Sequence, residues 1–271
     1  LVDLGDPYSG YNRSIPISSF LPPLLAELGL PTVVHGLDSV SPKYGLTHRH
    51  INQALGLSVD HSTAEAKARI ENTSIGWSYV DQKSYCKGLH DMVPLRDRVI
   101  KRTVINTVET LIGPLRGKTT HSILGYVHKP YPPIYAHLVK ASGMDTALLV
   151  RGVEGGVVPS LRQKGLMISY QGTKEQDRVD IDPSSIGIDQ DMRAISFPGE
   201  MDVKSDIKDL AEYTVKLGRS ALSGEQGMFY DGLVLSASLI LWHTKKSDSL
   251  ADAAKIVRST LDSGKVLNRL K

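Results

Sequence analysis

Cysteine is almost missing from this 271-residue chain, which contains a single one, Cys86. One thiol can form neither an internal disulfide nor a zinc cage, so a buried apolar core must hold the fold together. Long apolar runs are missing too. The longest candidate, Gly232 to Trp242, is interrupted by Ser236 and Ser238, whereas a membrane span needs roughly 18 or more consecutive apolar residues. We therefore expect a soluble protein with no membrane partner.

The chain also has little excess of charge of either sign. Lys and Arg number 32 against 29 Asp and Glu, and the resulting net charge of +3 is too small to identify an anionic partner. The composition, 41% hydrophobic and 23% charged with 24 Gly and 14 Pro, is typical of globular proteins and excludes collagen and disordered classes. The first residues, Leu1 to Gly5, include no initiator Met and no signal peptide. We therefore expect a processed or truncated chain.

Several catalytic motifs are missing as well. The sequence contains no G-x-S-x-G turn for a nucleophilic serine, no Walker loop and no G-x-G-x-x-G dinucleotide loop. The nine histidines include the run His48-Arg49-His50, but residues two apart point to different sides of a helix, and no carboxylate lies at ligand spacing. The sequence therefore predicts no metal site and assigns no catalytic residue.

Short apolar runs alternate with segments of helical period, which predicts an α/β protein with a mainly parallel central sheet flanked by helices. Continuous apolar runs predict strands that are buried on both faces at Pro31 to His35, Ser122 to Val127 and Thr146 to Arg151. Helical period, usually ended by glycine, predicts helices over Ser18 to Gly29, Thr47 to Leu55, Pro132 to Ser142, Gly232 to Trp242 and Ser249 to Gly264.

The remaining segments suggest how the chain is divided. Residues 62–93 are polar and helical in period, with only a weak strand signal at Gly76 to Val80, and are predicted as a small helical lobe or hinge. The large α/β domain is then expected over 1–61 and 94–271. Within it, one long helix is predicted over 94–112, and a turn-rich, β-rich insertion over Gly165 to Asp206.

Basic side chains are concentrated between residues 94 and 118. Arg98, Lys101 and Arg102 would share one face of the predicted long helix and could contact phosphates, although a solvated helix face is the alternative. The candidate nucleic-acid-binding set is Arg96, Arg98, Lys101, Arg102, Arg116 and Lys118. A second basic stretch near the end of the chain contains Lys255, Arg258, Lys265, Arg269 and Lys271.

An ordered set of short motifs resembles the anthranilate phosphoribosyltransferase family over essentially the whole chain. The motifs are Val34-His35-Gly36 with Ser39 and Ser41, Pro94-x-Arg96 with Arg102-Thr103 and Asn106, Gly113-Pro114-Leu115, Val150-Arg151-Gly152 with Glu154-Gly155, Asp182-Pro183, and Leu261-Asp262-Ser263-Gly264-Lys265. The family joins anthranilate to phosphoribosyl pyrophosphate. The resemblance implies a class IV phosphoribosyltransferase fold, similar to nucleoside phosphorylases, with the active site in a cleft. It also implies a dimer-forming amino-terminal helical domain before residue 1.

The resemblance assigns substrate or donor positions to Ser18, Ser19, His35, Gly36, Ser41, Arg96, Arg102, Asn106 and Gly152. The family's glycine-rich pyrophosphate loop corresponds to Asp6-Pro7-Tyr8-Ser9-Gly10. Proline removes an amide donor there, tyrosine adds bulk, and Asp6 would repel phosphate. The family's acidic Mg²⁺ pair corresponds to Val157-Val158, which are hydrocarbon.

These departures favour a non-catalytic homologue that binds DNA or RNA through basic side chains. The pattern is similar to a divergent branch of the family, found in plants and outside the tryptophan operon, whose bacterial members bind nucleic acid across a dimer. No cofactor is then expected, and the homodimer depends on the amino-terminal helices. The resemblance implies the chloroplast stroma for a plant protein and the cytoplasm otherwise. Two alternatives stay open: an active phosphoribosyltransferase using Mg²⁺ and phosphoribosyl pyrophosphate, and a structural subunit of a multiprotein complex.

Overall fold

A seven-stranded sheet forms the centre of the computed structural model, which describes residues 1–99, 101–171 and 177–271. The strands lie in the order β3-β2-β1-β4-β5-β6-β7. Their bounds are β1 Val2–Gly5, β2 Thr32–Gly36, β3 Trp77–Asp81, β4 His121–Gly125, β5 Thr146–Val150, β6 Gly165–Gln171 and β7 Asp177–Ile181. The first five pair in parallel, while β6 and β7 pair antiparallel. The predicted mainly parallel α/β fold is confirmed.

Alternation along the strands explains why they read as continuous apolar runs. In β4, Ile123 joins the larger core cluster and the next residue, Leu124, joins a smaller cluster on the opposite face. Leu148 and Leu149 of β5 divide in the same way. Successive strand residues point to opposite faces, so a sheet covered by helices on both sides needs an apolar residue at every position.

Helices cover both faces of the sheet. Their bounds are α1 Leu21–Glu27, α2 His48–Ala54, α3 Thr63–Glu71, α4 Gln82–Tyr85, α5 Lys87–His90, α6 Val93–Val99, α7 Ile105–Val108, α8 Tyr131–Ala141, α9 Ile207–Leu222, α10 Met228–His243 and α11 Leu250–Asp262. Short 3₁₀ turns occur at Ile17–Phe20, Val153–Gly155, Pro183–Ile186 and Lys265–Arg269. Among the described residues, no helix is long and apolar enough to cross a membrane.

Several helix ends follow the sequence signals. Ser249 caps α11 because its hydroxyl accepts a hydrogen bond from the Asp252 N–H at 3.1 Å. The predicted terminal glycine of this helix, Gly264, takes a left-handed φ of +66°, which glycine adopts without steric cost. Helix α10 is buried nearly all round, as its unbroken apolar sequence predicts. Helix α9 lies outside the predicted helices, although its buried residues recur at helical spacing.

The long helix predicted over 94–112 is wrong. The chain forms the short helices α6 and α7 instead, and the described residues between them are not helical. β-branched residues, which lose side-chain freedom in helices, are frequent around the break, as at Val99, Thr103 and Val104. The side chain of Asn106 also accepts the Thr103 N–H at 2.9 Å and starts a new turn. Arg98, Lys101 and Arg102 therefore do not share the face of one helix.

The segment 62–93, predicted as a helical lobe or hinge, also contributes a strand. The weak signal at Gly76 to Val80 corresponds to β3, whose five residues are all buried and pair with β2. Only Trp77, Tyr79 and Val80 of its five residues are apolar, and Ser78 interrupts them, which is why the strand signal in the sequence is weak. The β-rich insertion expected over Gly165 to Asp206 contains β6 and β7, and its residues 172–176 lie outside the described residues.

The strand order creates a crevice at one edge of the sheet. The chain runs from β1 to β2 and β3 on one side, and from β4 to β5 on the other, although β1 and β4 are neighbours. The loops that follow β1 and β4 therefore leave in opposite directions. In open parallel sheets, ligands bind at such a switch point, outside the carboxyl ends of the strands.

Candidate functional site

A small cavity of about 130 Å³ lies at this switch point. One wall comes from the end of β1 and the following loop, and another from the end of β4 and residues Tyr126 to His128. Aromatic side chains line much of the cavity. The His128 and Tyr131 rings lie 6.0 Å apart between centroids, and the Tyr131 and Tyr135 rings lie 5.7 Å apart. The cavity therefore offers flat apolar surfaces to a ligand.

Asp6, the first residue after β1, points into the protein and not into the cavity. It is 1% exposed. One carboxylate oxygen accepts hydrogen bonds from the Tyr11 hydroxyl at 2.9 Å, the Ser18 hydroxyl at 2.6 Å and the His48 ring at 3.0 Å. The other accepts the backbone N–H of Val157 at 2.9 Å. Burial alone would raise the pKa of Asp6, but the hydrogen bonds, led by that from His48, outweigh it and lower this pKa.

A second buried network contains His35, which the resemblance assigns to the substrate site. His35 Nε2 lies 3.0 Å from Asp3 Oδ1, and both side chains are fully buried. On its other side, His35 Nδ1 bonds to the Tyr8 hydroxyl, which also bonds to Tyr85. Burial, followed by the neighbouring Tyr85, raises the pKa of Tyr8 well above its usual value. Tyr8 also lines the cavity, which places this polar chain against it.

Arg96 is buried, and its guanidinium holds the carboxylate of Glu109 through two hydrogen bonds of 2.6 and 3.0 Å. Burial raises the pKa of Glu109, while Arg96 counteracts this effect. Glu109 lines the cavity, so the pair forms part of its wall. The expectation that Arg96 contacts nucleic acid at the surface needs correction, because this residue is 1% exposed and its guanidinium is already paired.

A larger cleft of about 600 Å³ borders the cavity and shares Arg102, Val127, His128 and Glu154 with it. Cationic side chains dominate its lining, against the single carboxylate of Glu154. They are Arg13, Lys43, Arg102, Arg151, Lys164 and Arg193. Lys164 also pairs with Asp182 at 2.9 Å. Such a concentration of positive charge in a concave surface favours an anionic ligand.

The prediction of binding residues from the sequence left out most of these cations because they come from distant segments. Only Arg102 belongs to the predicted basic set. A signal for Arg151 does exist in the sequence, since it is the last residue of the predicted strand Thr146 to Arg151 and directly follows β5, which ends at Val150. Residues in that position meet at the carboxyl edge of a parallel sheet. Arg13, Lys43 and Arg193 lie in loops whose folding no local pattern predicts.

The single carboxylate in the cleft is fully engaged. Glu154 accepts hydrogen bonds from the backbone N–H groups of Asn12 at 3.2 Å and Arg13 at 3.0 Å. It also accepts the Ser14 hydroxyl at 2.8 Å and the Lys43 ammonium at 3.2 Å. Burial alone would raise the pKa of Glu154, but Lys43 and the other donors outweigh it and lower this pKa.

The other positions assigned by resemblance lie at the same edge of the sheet. Gly36 is the last residue of β2, and Gly152 lines the basic cleft. The Ser19 hydroxyl lies 2.8 Å from His48 Nδ1, and the Ser41 hydroxyl donates to the Arg96 carbonyl at 3.0 Å. Asn106 lines the cavity. The fold thus brings the assigned residues together, while their roles in binding stay predictions.

The remaining predicted nucleic-acid-binding residues do not line the cleft. Arg98 and Lys101 are exposed near the break between α6 and α7. Arg116 and Lys118 precede β4 and thus lie at the opposite edge of the sheet. The Arg116 guanidinium donates its hydrogen bonds to backbone carbonyls, including that of Gly113 at 3.0 Å. The carboxyl-terminal basic residues are similarly dispersed, with Arg269 bound to Glu27 and Arg258 to the carbonyl of Ile186.

The residues present do not fit a magnesium ion. Val157 and Val158 are buried, at 2% and 8% exposure, and offer no oxygen side chains. Among the described residues, no group of three or more His, Cys, Asp or Glu side chains is placed to hold a metal. The Asp6 carboxylate, which accepts the Val157 N–H, is already bonded to four donors.

The sequence matches the family described as "Glycosyl transferase family, a/b domain" over residues 10–267. An anthranilate phosphoribosyltransferase of Aquifex aeolicus is 27% identical over 98% of this chain and 72% of the relative. One of Thermomicrobium roseum is 25% identical over 96% of this chain and 71% of the relative. A second protein of Aquifex aeolicus, described as an uncharacterized protein, is 26% identical over 93% of this chain and 71% of its own.

Solved structures share the fold. The anthranilate phosphoribosyltransferase of Thermus thermophilus superimposes with a TM-score of 0.70 at 19% identity, covering 95% of this chain and 71% of that one. The Saccharomyces cerevisiae enzyme in complex with PRPP and Mg superimposes with a TM-score of 0.74 at 16% identity, covering 95% and 68%. At these identities, the likeness concerns the arrangement of strands and helices.

Proposed function

This chain belongs to the glycosyl transferase family with an a/b domain, and within it to the anthranilate phosphoribosyltransferase-like proteins, and we propose that it binds nucleic-acid phosphates without catalysing phosphoribosyl transfer. The observation that carries the proposal is the cleft of about 600 Å³ lined by six Arg and Lys side chains and one carboxylate. Phosphate contacts supply most of the sequence-independent affinity of proteins for nucleic acids.

The aromatic cavity beside the cleft favours a single strand over a duplex. Tyr131 pairs with both His128 and Tyr135 in its lining, and Tyr131 is 39% exposed, so this aromatic rim is accessible. Single-stranded nucleic acids bind where a basic groove follows the backbone and aromatic rings stack on unpaired bases. A single-stranded nucleic acid whose backbone lies in the basic cleft would place a base against this aromatic rim.

The proposed loss of transferase activity is supported by the loop after β1 and the segment after β5. The resemblance implies that these two segments hold the pyrophosphate and its metal in the family. Here the Asp6 carboxylate bonds to the Val157 N–H and ties the two segments together. Val157 and Val158 supply no metal ligand. Without the glycine-rich loop and the acidic metal ligands that the resemblance implies for a leaving pyrophosphate, the largest electrostatic contribution to such a transfer is missing.

A salt titration tests the binding. Fluorescence anisotropy would measure the affinity for labelled single-stranded DNA and RNA at increasing KCl concentration. We expect the logarithm of the affinity to fall linearly with the logarithm of the salt concentration. Removing three cleft cations in the triple variant Arg102→Gln, Arg151→Gln, Arg193→Gln should reduce the slope by about 2, at about 0.7 per cation for a single strand.

The matched control removes the same charge elsewhere, in the triple variant Lys204→Gln, Lys208→Gln, Lys246→Gln. These lysines are exposed and do not line the cleft, so the slope should stay close to that of the unchanged protein. No binding at low salt, or an affinity independent of salt, contradicts the proposed function. Equal losses in both triple variants would show that the cleft is not the binding surface.

An active phosphoribosyltransferase remains the second candidate, favoured by the cavity at the switch point and by the Arg96–Glu109 pair in its wall. Magnesium-dependent phosphoribosylation of anthranilate or a related aromatic acid would establish it, and no product at high protein concentration would exclude it. Exposed apolar side chains at Leu95, Val99 and Val104 favour a third candidate, a subunit of a protein complex. Co-purification of a stoichiometric partner without nucleic acid would support that candidate. The homodimer and the plastid setting stay predictions.

A further inference from the structure

Glu154 occupies a set of donors that would suit a larger anion. Its carboxylate is held by two successive backbone N–H groups, at Asn12 and Arg13, by one hydroxyl, at Ser14, and by one ammonium, at Lys43. The side chains of Glu154 and Lys43 are only 7% and 10% exposed. Consecutive amides with a hydroxyl and a cation form the kind of concave donor group that binds phosphate in other proteins.

The backbone at Glu154 suggests that the carboxylate is held there against a local preference. Glu154 has a left-handed φ of +53°, which is unfavourable for a residue with a side chain. It is flanked by Gly152, Gly155 and Gly156, whose backbones can adopt other conformations without steric cost. Release of the side chain would therefore relieve the strain, and the glycines would permit the movement.

The surrounding charge favours a ligand with more negative charge than one carboxylate. Besides Lys43, the cleft around Glu154 is lined by Arg13, Arg102, Arg151, Lys164 and Arg193, and it holds no other acidic side chain among the described residues. Two of these six cationic residues meet the Glu154 segment directly, through the Arg13 amide and the Lys43 ammonium. A phosphate dianion would bring two charges and an additional oxygen to the same donors.

We propose that the Asn12 and Arg13 amides, the Ser14 hydroxyl and the Lys43 ammonium form a binding site for a terminal phosphoryl group, and that Glu154 occupies this site until such a ligand displaces it. Free phosphate and the terminal phosphate of a nucleotide share this chemistry. The inference concerns the cleft described above but does not depend on its use by nucleic acid, because the ligand is a phosphate dianion and not a diester backbone.

Calorimetric titration of the whole chain with inorganic phosphate at low salt tests the site. Because an occupied site lowers the apparent affinity in proportion to the fraction that is open, Glu154→Ala should bind phosphate about tenfold more tightly, or more, than the unchanged protein. Adding Lys43→Ala to Glu154→Ala should abolish the gain. Glu212→Ala, which removes the same charge from an exposed position on α9, should leave phosphate binding unchanged.

Two further measurements complete the test. A nucleoside 5′-monophosphate, titrated beside the unphosphorylated nucleoside, distinguishes nucleotide from free phosphate as the source of the group. The second measurement uses the unchanged protein and so does not depend on a variant folding. Phosphate should shift the amide NMR signals of Asn12, Arg13 and Glu154 in a saturable way. Chloride at equal ionic strength should not shift them.

The proposal is overturned if Glu154→Ala binds phosphate no better than the unchanged protein, or if the double variant retains the gain. It is also overturned if these amide signals do not respond to phosphate. Loss of oligonucleotide binding in the cleft triple variant would bear only on the proposed function. A phosphate response at residues 12–14 with no oligonucleotide binding would support the phosphoryl site alone.

Discussion

The carboxylate of Asp6 accepts a hydrogen bond of 2.9 Å from the backbone N–H of Val157. This contact joins the loop after β1 to the segment after β5, across the switch point of the sheet. A buried carboxylate is normally costly, but here every oxygen has a donor and His48 lies 3.0 Å away. The contact therefore holds the loop after β1 and the segment after β5 together beside the basic cleft.

Asp6→Ala should lower the free energy of unfolding by about 3–5 kcal/mol, because it removes one partner of a buried charged network and leaves the others without an acceptor. Urea denaturation measures the change. Asp248→Asn is the control, since Asp248 is exposed, and a surface change of this kind shifts stability by only about 0.5 kcal/mol. Equal effects of the two substitutions would show that the network contributes little.

The stability of the protein should fall as the pH falls from 7 to 5. Burial, followed by the charges of His121 and Lys245, lowers the pKa of His243 from 6.5 to about 3. The folded state therefore binds this proton less readily than the unfolded state, so the contribution is present above pH ~6.5 and is lost as the pH falls towards ~3. Between pH 7 and 5 the loss from His243 should be about 2 kcal/mol.

Urea denaturation of the unchanged protein and of His243→Gln over this pH range checks the prediction. The variant should show a flatter pH dependence, whatever its stability at pH 7. Some slope should remain, because burial also lowers the pKa of His121. An unchanged slope in the variant would show that His243 is not the group responsible.

Arg96→Lys and Arg102→Gln should separate structure from binding. Lysine cannot form the two parallel hydrogen bonds of the Arg96 guanidinium with Glu109, so the variant should lose about 2 kcal/mol of stability. Its affinity for single-stranded nucleic acid should not change, because Arg96 is buried. Arg102→Gln should have the reverse effect, with a salt slope reduced by about 0.7 and little loss of stability.

Denaturant midpoints and anisotropy titrations on the same two preparations make the comparison. A reduced salt slope in Arg96→Lys, at unchanged stability, would show that Arg96 contacts the nucleic acid. No change of slope in Arg102→Gln would remove Arg102 from it.

Gly152→Ala should disturb the turn that carries Glu154. A Cβ atom at Gly152 would lie 1.6 Å from the carbonyl oxygen of Gly156, so the backbone between them must move. We expect a loss of about 1–3 kcal/mol, as for other overpacked positions. Gly88→Ala is the control, because a Cβ at Gly88 meets nothing within 4 Å and Gly88 lies in α5. That substitution should be neutral or stabilising by up to about 1 kcal/mol.

Thermal or urea unfolding of both glycine variants distinguishes the two environments. If Gly152→Ala were as well tolerated as Gly88→Ala, the close approach of the 152–156 turn to itself would not be required for folding.

The sequence by itself determined the class of fold and much of its framework. The continuous apolar runs that become β2, β4 and β5 predict strands buried on both faces, because such runs have no polar side to expose to water. Glycines after α1, α2, α8 and α11 mark the helix ends, since each takes a positive φ there. The family also follows from the order of the short motifs along the chain.

Only the tertiary structure decided which charges act together. Arg13, Lys43, Arg151 and Arg193 are far apart in the sequence and converge only because parallel strands direct their following loops to one edge. The same convergence turns Asp6 inward, where donors from four segments surround it, and buries Arg96 against Glu109. The sequence shows which side chains carry charge, whereas burial and pairing depend on contacts between distant segments, and no local pattern contains those contacts.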